Sequence, residues 1–383
     1  MTVTGIICEY DPLHLGHQKQ LDRIRAAFPE GAIVCLMSGN YVQRGKPAII
    51  DKSLRAQAAV FCGADLVLEL PVTASLSSAE GFAAAGVRIL GKFCDRLCFG
   101  AEDANADELL RCAKAALSDV FREKLLSALS LGLSFPAARQ QALQEMGINP
   151  NLVCKPNNIL AVEYCKAIIS QNTKMTPYPI FREGAYHDSI PDPQNPSATA
   201  VRQQMRSGDP WLEYIPESAR PIFAEATVHT LEAGERAVLA KLRCMSEDAF
   251  ESLPYGSEGL WRKLMHAVRA ESTLEDILAA TKSKRYTRSR LDRMVMCAFL
   301  GLNAKDLDSP APYVRVLALS DRGRLVLKAA RQHGVFPNAG EKMDHPYQTV
   351  ENRCTDLYGL FAEDIPERAG LESARRITYK NID

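Results

Sequence analysis

The stretch that decides the fold is Val3-Thr4-Gly5-Ile6-Ile7-Cys8 followed by Glu9-Tyr10-Asp11-Pro12-Leu13-His14-Leu15-Gly16-His17. Its first six residues are mainly apolar, which is typical of a short buried strand of a parallel sheet. Pro12 interrupts this pattern and predicts a turn. The residues after the turn predict a helix whose first turn carries His14-x-Gly16-His17. A strand, a turn and a helix are therefore expected in direct succession.

This arrangement suits a site that holds a nucleoside triphosphate while its α-phosphate is attacked. A helix N-terminus offers unpaired N–H groups and a partial positive charge, so it attracts phosphate. Gly16 has no side chain, so backbone or base can approach it closely. The imidazoles of His14 and His17 can donate hydrogen bonds to the oxygens between the α- and β-phosphates, where charge builds in the transition state. The alternative is two ordinary histidines at a helix start, because short motifs recur by chance.

The strand–turn–helix context resembles the HIGH-type nucleotidylyltransferase superfamily, which includes cytidylyltransferases, pantetheine-phosphate adenylyltransferase and class I aminoacyl-tRNA synthetases. The resemblance implies an α/β fold with a doubly wound, Rossmann-like parallel sheet and the nucleotide over the carboxyl ends of its strands. It also implies chemistry at the α-phosphate, with pyrophosphate leaving. Neither G-x-x-x-x-G-K-[ST] nor G-x-G-x-x-G follows a predicted strand, which argues against a P-loop NTPase and a classical dinucleotide-binding domain.

Length and composition narrow the class of protein. A chain of 383 residues predicts two domains. Lys+Arg and Asp+Glu both number 46, so net charge gives no sign of nucleic-acid binding and any basic surface must be local. The 11 cysteines lack framework spacing, and Cys94 and Cys98 have no second pair to complete a zinc site. We expect them to be buried thiols of a reducing cytosol.

No signal peptide and no run of about 18 apolar residues is apparent, so we expect a cytoplasmic protein that is neither exported nor membrane-spanning.

Strand and helix signals alternate in the first hundred residues, which predicts a parallel sheet with right-handed crossovers. Buried strands are expected at 3–8, 32–37, 66–70 and 96–99, and helices at 21–28, 52–62 and 79–90.

A helical insertion is predicted at about 103–150, with breaks at Gly132 and Pro136. A helix at about 159–169 and a strand at 175–181 then return to the sheet. A boundary near 213–220 divides an α/β domain, 1–215, which carries the predicted triphosphate site, from a mostly α-helical C-terminal domain, 216–383.

The segment Ser38-Gly39-Asn40-Tyr41-Val42-Gln43-Arg44-Gly45-Lys46-Pro47 follows the second predicted strand directly. A loop at that end of an open α/β sheet faces the ligand. Arg44 and Lys46 can meet a carboxylate or a phosphate, Arg44 by a bidentate pair and Lys46 as a point charge. The alternative is a solvated loop.

Further candidate residues lie at strand or helix ends. Gly100 ends the fourth strand, where the backbone can lie against adenine or ribose, although a strand-end glycine is often only a turn. Asn157 and Asn158 open a helix; one of them can cap it, leaving the other to read a base or ribose edge. Arg182 places a cation after the strand 175–181, and a salt bridge to Glu183 or Asp188 is the alternative.

A second phosphate element is predicted at Ser197-Ala198-Thr199-Ala200-Val201-Arg202, with Ser197 as N-cap. Arg202 lies one turn further on the same side of the helix. The segment resembles the S-S-T-x-I-R element that grips the triphosphate from the side opposite the histidines in adenylyltransferases of the superfamily. Ala198 stands where those enzymes have Ser, so one hydroxyl is missing.

The predicted helical domain contains a basic cluster, Lys282-Ser283-Lys284-Arg285-Tyr286-Thr287-Arg288-Ser289-Arg290, with Arg293 just beyond it. Clustered cations suggest a local site for a phosphate backbone, and Tyr286 can stack on a splayed base. The alternative is a solvated, charged helix face.

Taken together, segments 5–17, 37–51, 63–71, 156–164, 197–202, 285–290 and 313–324 resemble the bacterial tRNA(Met) cytidine acetate ligase family. The resemblance implies an enzyme that uses ATP and free acetate to form acetyl-adenylate. The acetyl group then passes to the exocyclic amine of the wobble cytidine in elongator tRNA(Met). Mg²⁺ is expected to accompany the triphosphate. The family often reads Phe-Asn-Pro-Phe-His in the first motif, so Tyr10 and Asp11 are departures that bear on ribose or metal contacts.

The resemblance also assigns site residues. His14, His17 and Arg202 are the expected catalytic residues. The expected nucleotide site comprises Ile7, Cys8, Glu9, Tyr10, Asp11, Pro12, Leu13, His14, Leu15, Gly16, His17, Gln18, Lys19, Gln20, Gly100, Asn157 and Arg182, together with Ser197 and Thr199. The expected substrate and tRNA contacts are Arg44, Lys46, Lys284, Arg285, Tyr286, Arg288 and Arg290.

Two alternatives from other functional classes remain at this point. A small-molecule adenylyltransferase of coenzyme biosynthesis would share both phosphate elements but would not explain the C-terminal basic cluster. A non-catalytic RNA-binding protein on the same scaffold would not need His14, Gly16, His17 and Arg202. Acetate-dependent ATP–pyrophosphate exchange separates the first from the ligase, and stabilisation by ATP separates the second.

Overall fold

The structure is a computed structural model, and it describes residues 1–182, 192–283, 285–365 and 368–381. Its main sheet has seven strands: β1 (Val3–Cys8), β2 (Ala32–Ser38), β5 (Leu66–Leu70), β6 (Arg96–Ala101), β7 (Thr176–Phe181), β8 (Val316–Ser320) and β9 (Thr378–Lys380). A small hairpin of β3 (Tyr41–Val42) and β4 (Lys46–Pro47) follows β2. The strands predicted near the N-terminus are confirmed, with β2 and β6 slightly longer than expected.

The sheet order is β7-β6-β1-β2-β5-β8-β9. The pairs β1–β2, β1–β6, β2–β5 and β6–β7 are parallel, β5–β8 is antiparallel and β8–β9 is parallel. From β1 the chain first adds β2 and β5 on one side and then β6 and β7 on the other. The carboxyl ends of β1 and its two neighbours therefore form the edge where such sheets bind ligands. The predicted doubly wound, mostly parallel sheet is confirmed.

Nine helices precede the predicted boundary: α1 (Leu15–Ala27), α2 (Lys52–Phe61), α3 (Val72–Ser75), α4 (Ala79–Leu90), α5 (Ala106–Ala116), α6 (Asp119–Ser130), α7 (Phe135–Glu145), α8 (Pro156–Ser170) and α9 (Ala198–Ser207) in the described part. The helical insertion comprises α5 to α7. Gly132 breaks it as predicted, with φ of 86°. Pro136 does not, because it occupies the first turn of α7, where its missing N–H has no helical partner to lose.

The described residues beyond the boundary form α10 (Arg220–Phe223), α11 (Leu231–Arg243), α12 (Glu247–Glu251), α13 (Leu260–Ala270), α14 (Leu274–Thr281), α15 (Arg288–Leu300), α16 (Ala304–Asp308), α17 (Asp321–Ala330) and α18 (Tyr347–Tyr358). Short 3₁₀ turns lie at Pro150–Val153, Leu212–Tyr214, Gly359–Phe361 and Glu372–Ala374. This part is mostly helical, as predicted, but it also contributes β8 and β9 to the main sheet.

Alternating side chains place two apolar cores on opposite faces of the sheet. Val34 and Leu36 of β2 face the core covered by α4, α5 and α8, whereas Ile33 and Cys35 face the core covered by α1, α2 and α9. A third core lies among α11, α13, α14 and α15 and includes Tyr41 of the hairpin. The hairpin is thereby fixed between the sheet and the C-terminal helices.

Candidate active site

The predicted phosphate elements meet at the carboxyl ends of β1, β6 and β7. The N-termini of α1 and α9 flank this edge, and their two elements contact each other through Asp11 and Arg202. The segments are 191 residues apart along the chain. The structure therefore brings together the two motifs that the sequence places in one site.

His14 is the N-cap of α1 and is 2% exposed. Its Nδ1 accepts a hydrogen bond from the N–H of Gly16 at 3.1 Å. The Nδ1 of His17 accepts from the N–H of His14 at 3.3 Å, which completes a capping box. The two rings stack with centroids 3.8 Å apart. Since each Nδ1 is an acceptor, each neutral ring carries its proton on Nε2.

Both imidazoles are held in the neutral form. Burial lowers the pKa of His14 well below its ordinary value, and nearby His17, Arg182 and Arg202 lower it further. Burial, with Arg182 and Arg202, lowers the pKa of His17 to about 3. The Nε2–H groups are therefore hydrogen-bond donors at neutral pH. The Nε2 of His14 is buried and has no hydrogen-bond partner among the described residues.

Two glycines of the site differ in the space around them. A Cβ on Gly16 would lie 3.0 Å from Cε1 and 3.1 Å from Nδ1 of His14, so a larger residue there would crowd the stacked ring. Among the described residues, a Cβ on Gly100 would meet nothing closer than the Cβ of Arg182, at 3.9 Å. As far as these residues are concerned, a flat group can lie against Gly100.

The turn between β1 and α1 is packed into the protein. Tyr10 is 1% exposed, and its hydroxyl lies 3.4 Å from Sγ of Cys35. Oδ1 of Asp11 accepts from the N–H of Ile49 at 2.6 Å. Ile7, Pro12 and Leu13 are also buried. These side chains support the turn, while Cys8, Glu9 and Leu15 are half-buried.

The polar side chains further along α1 have protein partners of their own. The amide of Gln18 donates to the carbonyl of Cys62 at 3.0 Å, and Gln20 donates to Sγ of Cys98 at 3.5 Å. The ammonium of Lys19 donates to Oδ1 of Asn195 at 2.6 Å. Lys19 therefore ties α1 to the segment before α9.

The α9 element has the predicted cap. Oγ of Ser197 accepts from the N–H of Ala200 at 3.1 Å, which confirms Ser197 as N-cap. Thr199 is exposed, and its hydroxyl accepts from Arg202 at 3.2 Å. Arg202 also donates to the carbonyl of Asp11 at 2.5 Å and lies 3.4 Å from its Oδ2. The guanidinium thus bridges the two phosphate elements.

Asn157 belongs to a polar chain on the other side of the edge. Its Oδ1 accepts from Arg182 at 3.0 Å, and its Nδ2 donates to Glu102 at 2.8 Å. Neither asparagine caps α8, because the N-cap is Lys155 and Oδ1 of Asn158 accepts instead from the N–H of Asp103.

The capping explanation of the asparagines is therefore wrong. Glu183 and Asp188, the alternative partners of Arg182, lie outside the described residues.

The hairpin after β2 contacts both the site and helix α15. The N–H of Gln43 donates to Oε1 of Glu9 at 2.7 Å. Nζ of Lys46 lies 3.5 Å from Oδ1 of Asp292 on α15, and Arg44 is exposed at the tip. The loop that the sequence predicted to face the ligand is therefore a hairpin held by Glu9 on one side and by α15 on the other.

The arginines of the basic cluster are paired within the protein. Arg285 lies 2.7 Å from Glu258, and Arg288 makes a bidentate contact with Glu275 at 2.7 and 2.6 Å. Arg290 donates to the carbonyl of Tyr255 at 2.8 Å.

Tyr286 also has partners, since its hydroxyl donates to Glu258 at 2.8 Å and the guanidinium of Arg290 lies 4.8 Å from its ring centroid. Lys284 lies outside the described residues.

Sequence reasoning missed the residues that fix this edge. Arg55 is fully buried and donates to the carbonyls of Glu9 at 2.6 Å and Ser38 at 3.1 Å. Glu102 holds both asparagines of α8, and Asp292 holds Lys46 and Arg288. The sequence signals were weak: Glu102 directly follows Gly100-Ala101, and Asp292 is an acid inside an apolar helix.

The cysteines and possible metal ligands can also be compared with expectation. All eleven cysteines are free; eight are buried, Cys8 is half-buried, and Cys154 and Cys244 are exposed, so the expectation of burial is wrong for the last two.

Among the described residues, no group of three or more His, Cys, Asp or Glu could hold a metal ion. None of the helices in that part of the chain has the length and apolar character needed to cross a membrane.

Comparison with known proteins places this site in a family. The model of the HIGH Nucleotidyl Transferase family matches residues 1–372. A tRNA(Met) cytidine acetate ligase of Clostridium acetobutylicum is 33% identical over 95% of this chain and 97% of its own length. The chain belongs to the tRNA(Met) cytidine acetate ligase family. The member from Halothermothrix orenii is 31% identical over the full length of both proteins.

Solved structures of the family have the same fold. Thermotoga maritima TmcAL in its apo form aligns with a TM-score of 0.90 at 29% identity over the whole of both chains. The same protein bound with alpha-thio ATP aligns with a TM-score of 0.87 at 28% identity, again over the whole of both chains. The fold that surrounds His14 and His17 is therefore that of a family member that binds an ATP analogue.

Proposed function

We propose that this chain is an ATP-dependent ligase that activates acetate as acetyl-adenylate and transfers the acetyl group to N4 of the wobble cytidine in elongator tRNA(Met). Membership of the tRNA(Met) cytidine acetate ligase family over the full chain length supports this reaction. The ATP analogue bound by the Thermotoga relative supports ATP as the nucleotide.

The observation that carries the proposal is the buried Nε2 of His14. Burying a donor without a partner is unfavourable, so such a group is expected to meet a ligand. Within the described part of the chain this Nε2 has no hydrogen-bond partner, although the same ring caps α1 through Nδ1. A phosphate oxygen at the start of α1 would accept its proton.

In the first step, an acetate oxygen attacks the α-phosphorus, and the bond to the bridging oxygen breaks so that pyrophosphate leaves. His14 and His17 donate from Nε2 to the oxygens on which charge develops. Arg182 and Arg202 lie close enough to depress the pKa of both rings, so the triphosphate would enter a cationic edge. Offsetting the repulsion between acetate and ATP and holding them together lowers the barrier.

Mg²⁺ would arrive with the triphosphate. The described residues contain no cluster of three or more metal-ligating side chains, and Mg²⁺ typically binds phosphates with only one or two carboxylates. Both oxygens of Asp11 face donors, the N–H of Ile49 and Arg202, so the phosphates would supply most ligands of the ion. When bound, the ion would neutralise charge on the leaving pyrophosphate.

The tRNA would approach over the hairpin and α15. Asp292 pairs with Lys46 and with Arg288, so two predicted tRNA contacts that are far apart in sequence adjoin in space. The other predicted contacts are near these two in the chain: Arg44 precedes Lys46, and Arg285, Tyr286 and Arg290 flank Arg288. Cations there would bind the phosphate backbone.

The test is mass spectrometry of nucleosides from tRNA incubated with the protein, ATP and acetate. We expect N4-acetylcytidine at the wobble position of elongator tRNA(Met), with AMP and pyrophosphate formed in equal amounts. The matched control omits acetate. Exchange of labelled pyrophosphate into ATP that requires a phosphorylated metabolite instead of acetate would contradict the proposal and favour a coenzyme adenylyltransferase.

A further inference from the structure

Glu9 belongs to the expected nucleotide site, but the adenylation step as described assigns no role to its carboxylate. It follows the last residue of β1 and is half-buried. Its Oε1 accepts from the N–H of Gln43 at 2.7 Å. Its Oε2 makes no hydrogen bond to any residue that the structure describes. One oxygen therefore orients the carboxylate while the other is available.

The backbone around Glu9 is fixed. Its carbonyl accepts from the guanidinium of Arg55 at 2.6 Å, and the same guanidinium binds the carbonyls of Ser38 and Gly39 at the end of β2. Arg55 is 0% exposed, so water does not compete for these bonds. The carboxylate is therefore held where β1 and β2 end, beside the turn that leads to His14.

Glu9 also lies next to the contact between the hairpin and α15. The carbonyl of Gln43, whose N–H binds Glu9, accepts from Arg293 of α15 at 3.4 Å. A Cβ on Gly45 would lie 2.4 Å from the backbone nitrogen of Arg293, so hairpin and helix are in direct contact. A group that enters over α15 and the hairpin meets this carboxylate beside the histidines.

We propose that Glu9 accepts the proton of the cytidine amine when acetyl-adenylate reacts with tRNA, an inference that rests on the proposed function. The nitrogen lone pair forms a bond to the acetyl carbon, and the bond between that carbon and the phosphate oxygen breaks. AMP leaves with the electron pair of this bond. The proton from the amine passes to Oε2 of Glu9, so atoms and charge balance.

The other groups of the site are already committed. Asp11 accepts from the N–H of Ile49 and lies against Arg202, so both of its oxygens face donors. The imidazoles of His14 and His17 accept at Nδ1 and present donors at Nε2. Glu102 accepts with both oxygens, from Asn157 and Asn158, so among these described carboxylates Glu9 is the one with an oxygen left to accept a proton.

The surroundings of Glu9 suit a base. Burial raises the pKa of Glu9 above its ordinary value; the N–H of Gln43 and the cations of Arg202 and Arg44 oppose this rise, and the charge of Asp11 adds to it. A raised pKa makes the carboxylate a better proton acceptor near neutral pH. Tyr164 of α8 is also near, since burial and then the charge of Glu9 raise the pKa of its hydroxyl. The base is active above this pKa, so transfer should slow as pH falls through it.

The test compares Glu9→Gln with Glu235→Gln. The amide of Glu9→Gln has the same shape and still accepts from Gln43 through oxygen, but it cannot take up the proton. Glu235 is a matched control because it is also half-buried and accepts a backbone N–H, that of Leu274, at 2.7 Å in the helical part. Two rates are measured: acetate-dependent ATP–pyrophosphate exchange, and single-turnover transfer from preformed acetyl-adenylate to tRNA across a pH series.

We expect Glu9→Gln to transfer acetyl groups from preformed acetyl-adenylate about 10²–10⁴-fold more slowly, a much larger loss than any loss of pyrophosphate exchange. Glu235→Gln should match wild type in both. Transfer by the wild type should fall at low pH, and Glu9→Gln should lack that dependence.

Wild-type transfer by Glu9→Gln, equal loss of both reactions, or a flat wild-type pH profile would each overturn the inference. A wild-type protein with neither acetate-dependent exchange nor transfer would instead overturn the proposed function itself.

Discussion

At the scale of single residues, His14 shows how folding and chemistry share one side chain. Its Nδ1 stabilises the start of α1, and that bond fixes the ring so that the proton lies on Nε2. A Cβ on Gly16 would crowd the ring that stacks on His17. The glycine of the H-x-G-H motif therefore eases packing as well as leaving space for a ligand.

His14→Asn separates these two roles. An Asn side chain is a good N-cap, so the helix should form, but the Nε2 donor is lost. We expect acetate-dependent pyrophosphate exchange to fall about 10²–10³-fold, as for loss of one transition-state donor worth about 2.7–4 kcal/mol. Thermal unfolding should show a folded protein. Wild-type exchange by His14→Asn would remove His14 from the reaction.

Asp11 places a negative charge against Arg202 in the phosphate site. Asp11→Asn keeps an oxygen for the N–H of Ile49 and removes the charge that competes with the triphosphate for Arg202. We therefore expect the KM for ATP to fall several-fold, with kcat changed less. Steady-state exchange over a range of ATP concentrations measures it. A higher KM would indicate that Asp11 contributes to binding the nucleotide or its Mg²⁺.

At the scale of elements, the sequence predicted the strands and helices whose burial is periodic. The runs at 3–8 and 66–70 and the helix at 79–90 have the predicted bounds, because local apolar patterns decide them. The β8 and β9 strands were not predicted. Val316–Ser320 is a five-residue apolar run between helical segments, and Thr378–Lys380 has three residues. Only pairing with distant strands makes them part of a sheet.

For the candidate site, too, the sequence predicted local features and missed contacts between distant segments. The cap at Ser197 is a local feature that the sequence predicted, whereas His14 was placed in the first turn of its helix and not predicted as the N-cap. The partners that set charge and orientation are distant in sequence: Arg55 for Glu9, Glu102 for Asn157, and Asp292 for Lys46. No local pattern encodes such contacts, because they depend on which loops meet after folding.

The contact between the hairpin and α15 can be tested through glycine. Gly45 has φ of 74°, and a Cβ there would lie 2.4 Å from the nitrogen of Arg293. Gly147 is a matched control, since its φ is 70° and a Cβ there would have no atom of the described residues within 4 Å among those that could clash with it. We expect Gly147→Ala to lower the free energy of unfolding by about 1–2 kcal/mol and Gly45→Ala to lower it more.

Acetyl transfer to tRNA should also be impaired in Gly45→Ala and not in Gly147→Ala. Urea unfolding and single-turnover transfer measure the two effects. Equal behaviour of the two variants in both assays would show that hairpin and helix do not depend on this contact.

At the scale of the whole molecule, a buried ion network joins the two halves of the chain. Nζ of Lys52 lies 2.8 Å from Glu69 and 2.9 Å from Glu372, and Arg375 lies 2.7 Å from Asp51. Glu372 is 1% exposed, and the charges of Lys52 and Arg375 lower its pKa against the effect of burial. The C-terminal segment is thus fixed to the sheet edge by charge as well as by β8 and β9.

Glu372→Gln should be strongly destabilising, because it leaves buried cations with one carboxylate fewer. Breaking such a pair lowers the free energy of unfolding by about 3–5 kcal/mol. The control Glu145→Gln removes an exposed ion pair with Lys124 and should change stability little. Since the pKa of Glu372 is lowered on folding, the difference between wild type and Glu372→Gln should shrink as pH falls below the ordinary glutamate range. Urea denaturation at several pH values tests both points.

Mutations in the basic cluster should separate tRNA binding from adenylation. Replacing Arg285, Arg288 and Arg290 with Ala should abolish tRNA acetylation and spare acetyl-adenylate formation, because the phosphate elements lie elsewhere in the chain. Each lost phosphate contact should reduce the salt dependence of tRNA binding by about one unit of slope.

Because these arginines pair with glutamates of the protein, replacing the glutamates tests the same contacts in the opposite direction. Glu258→Gln and Glu275→Gln remove the acids that pair with Arg285 and Arg288 and keep the cations. If the arginines bind phosphate, these variants should bind tRNA more tightly than wild type. In wild type each arginine must give up its glutamate before it can bind a phosphate, and in the variants it need not. Filter binding over a salt series, with pyrophosphate exchange on the same preparations, measures both changes. Wild-type affinity and salt slope in all variants would show that the arginines serve the fold and that tRNA binds elsewhere.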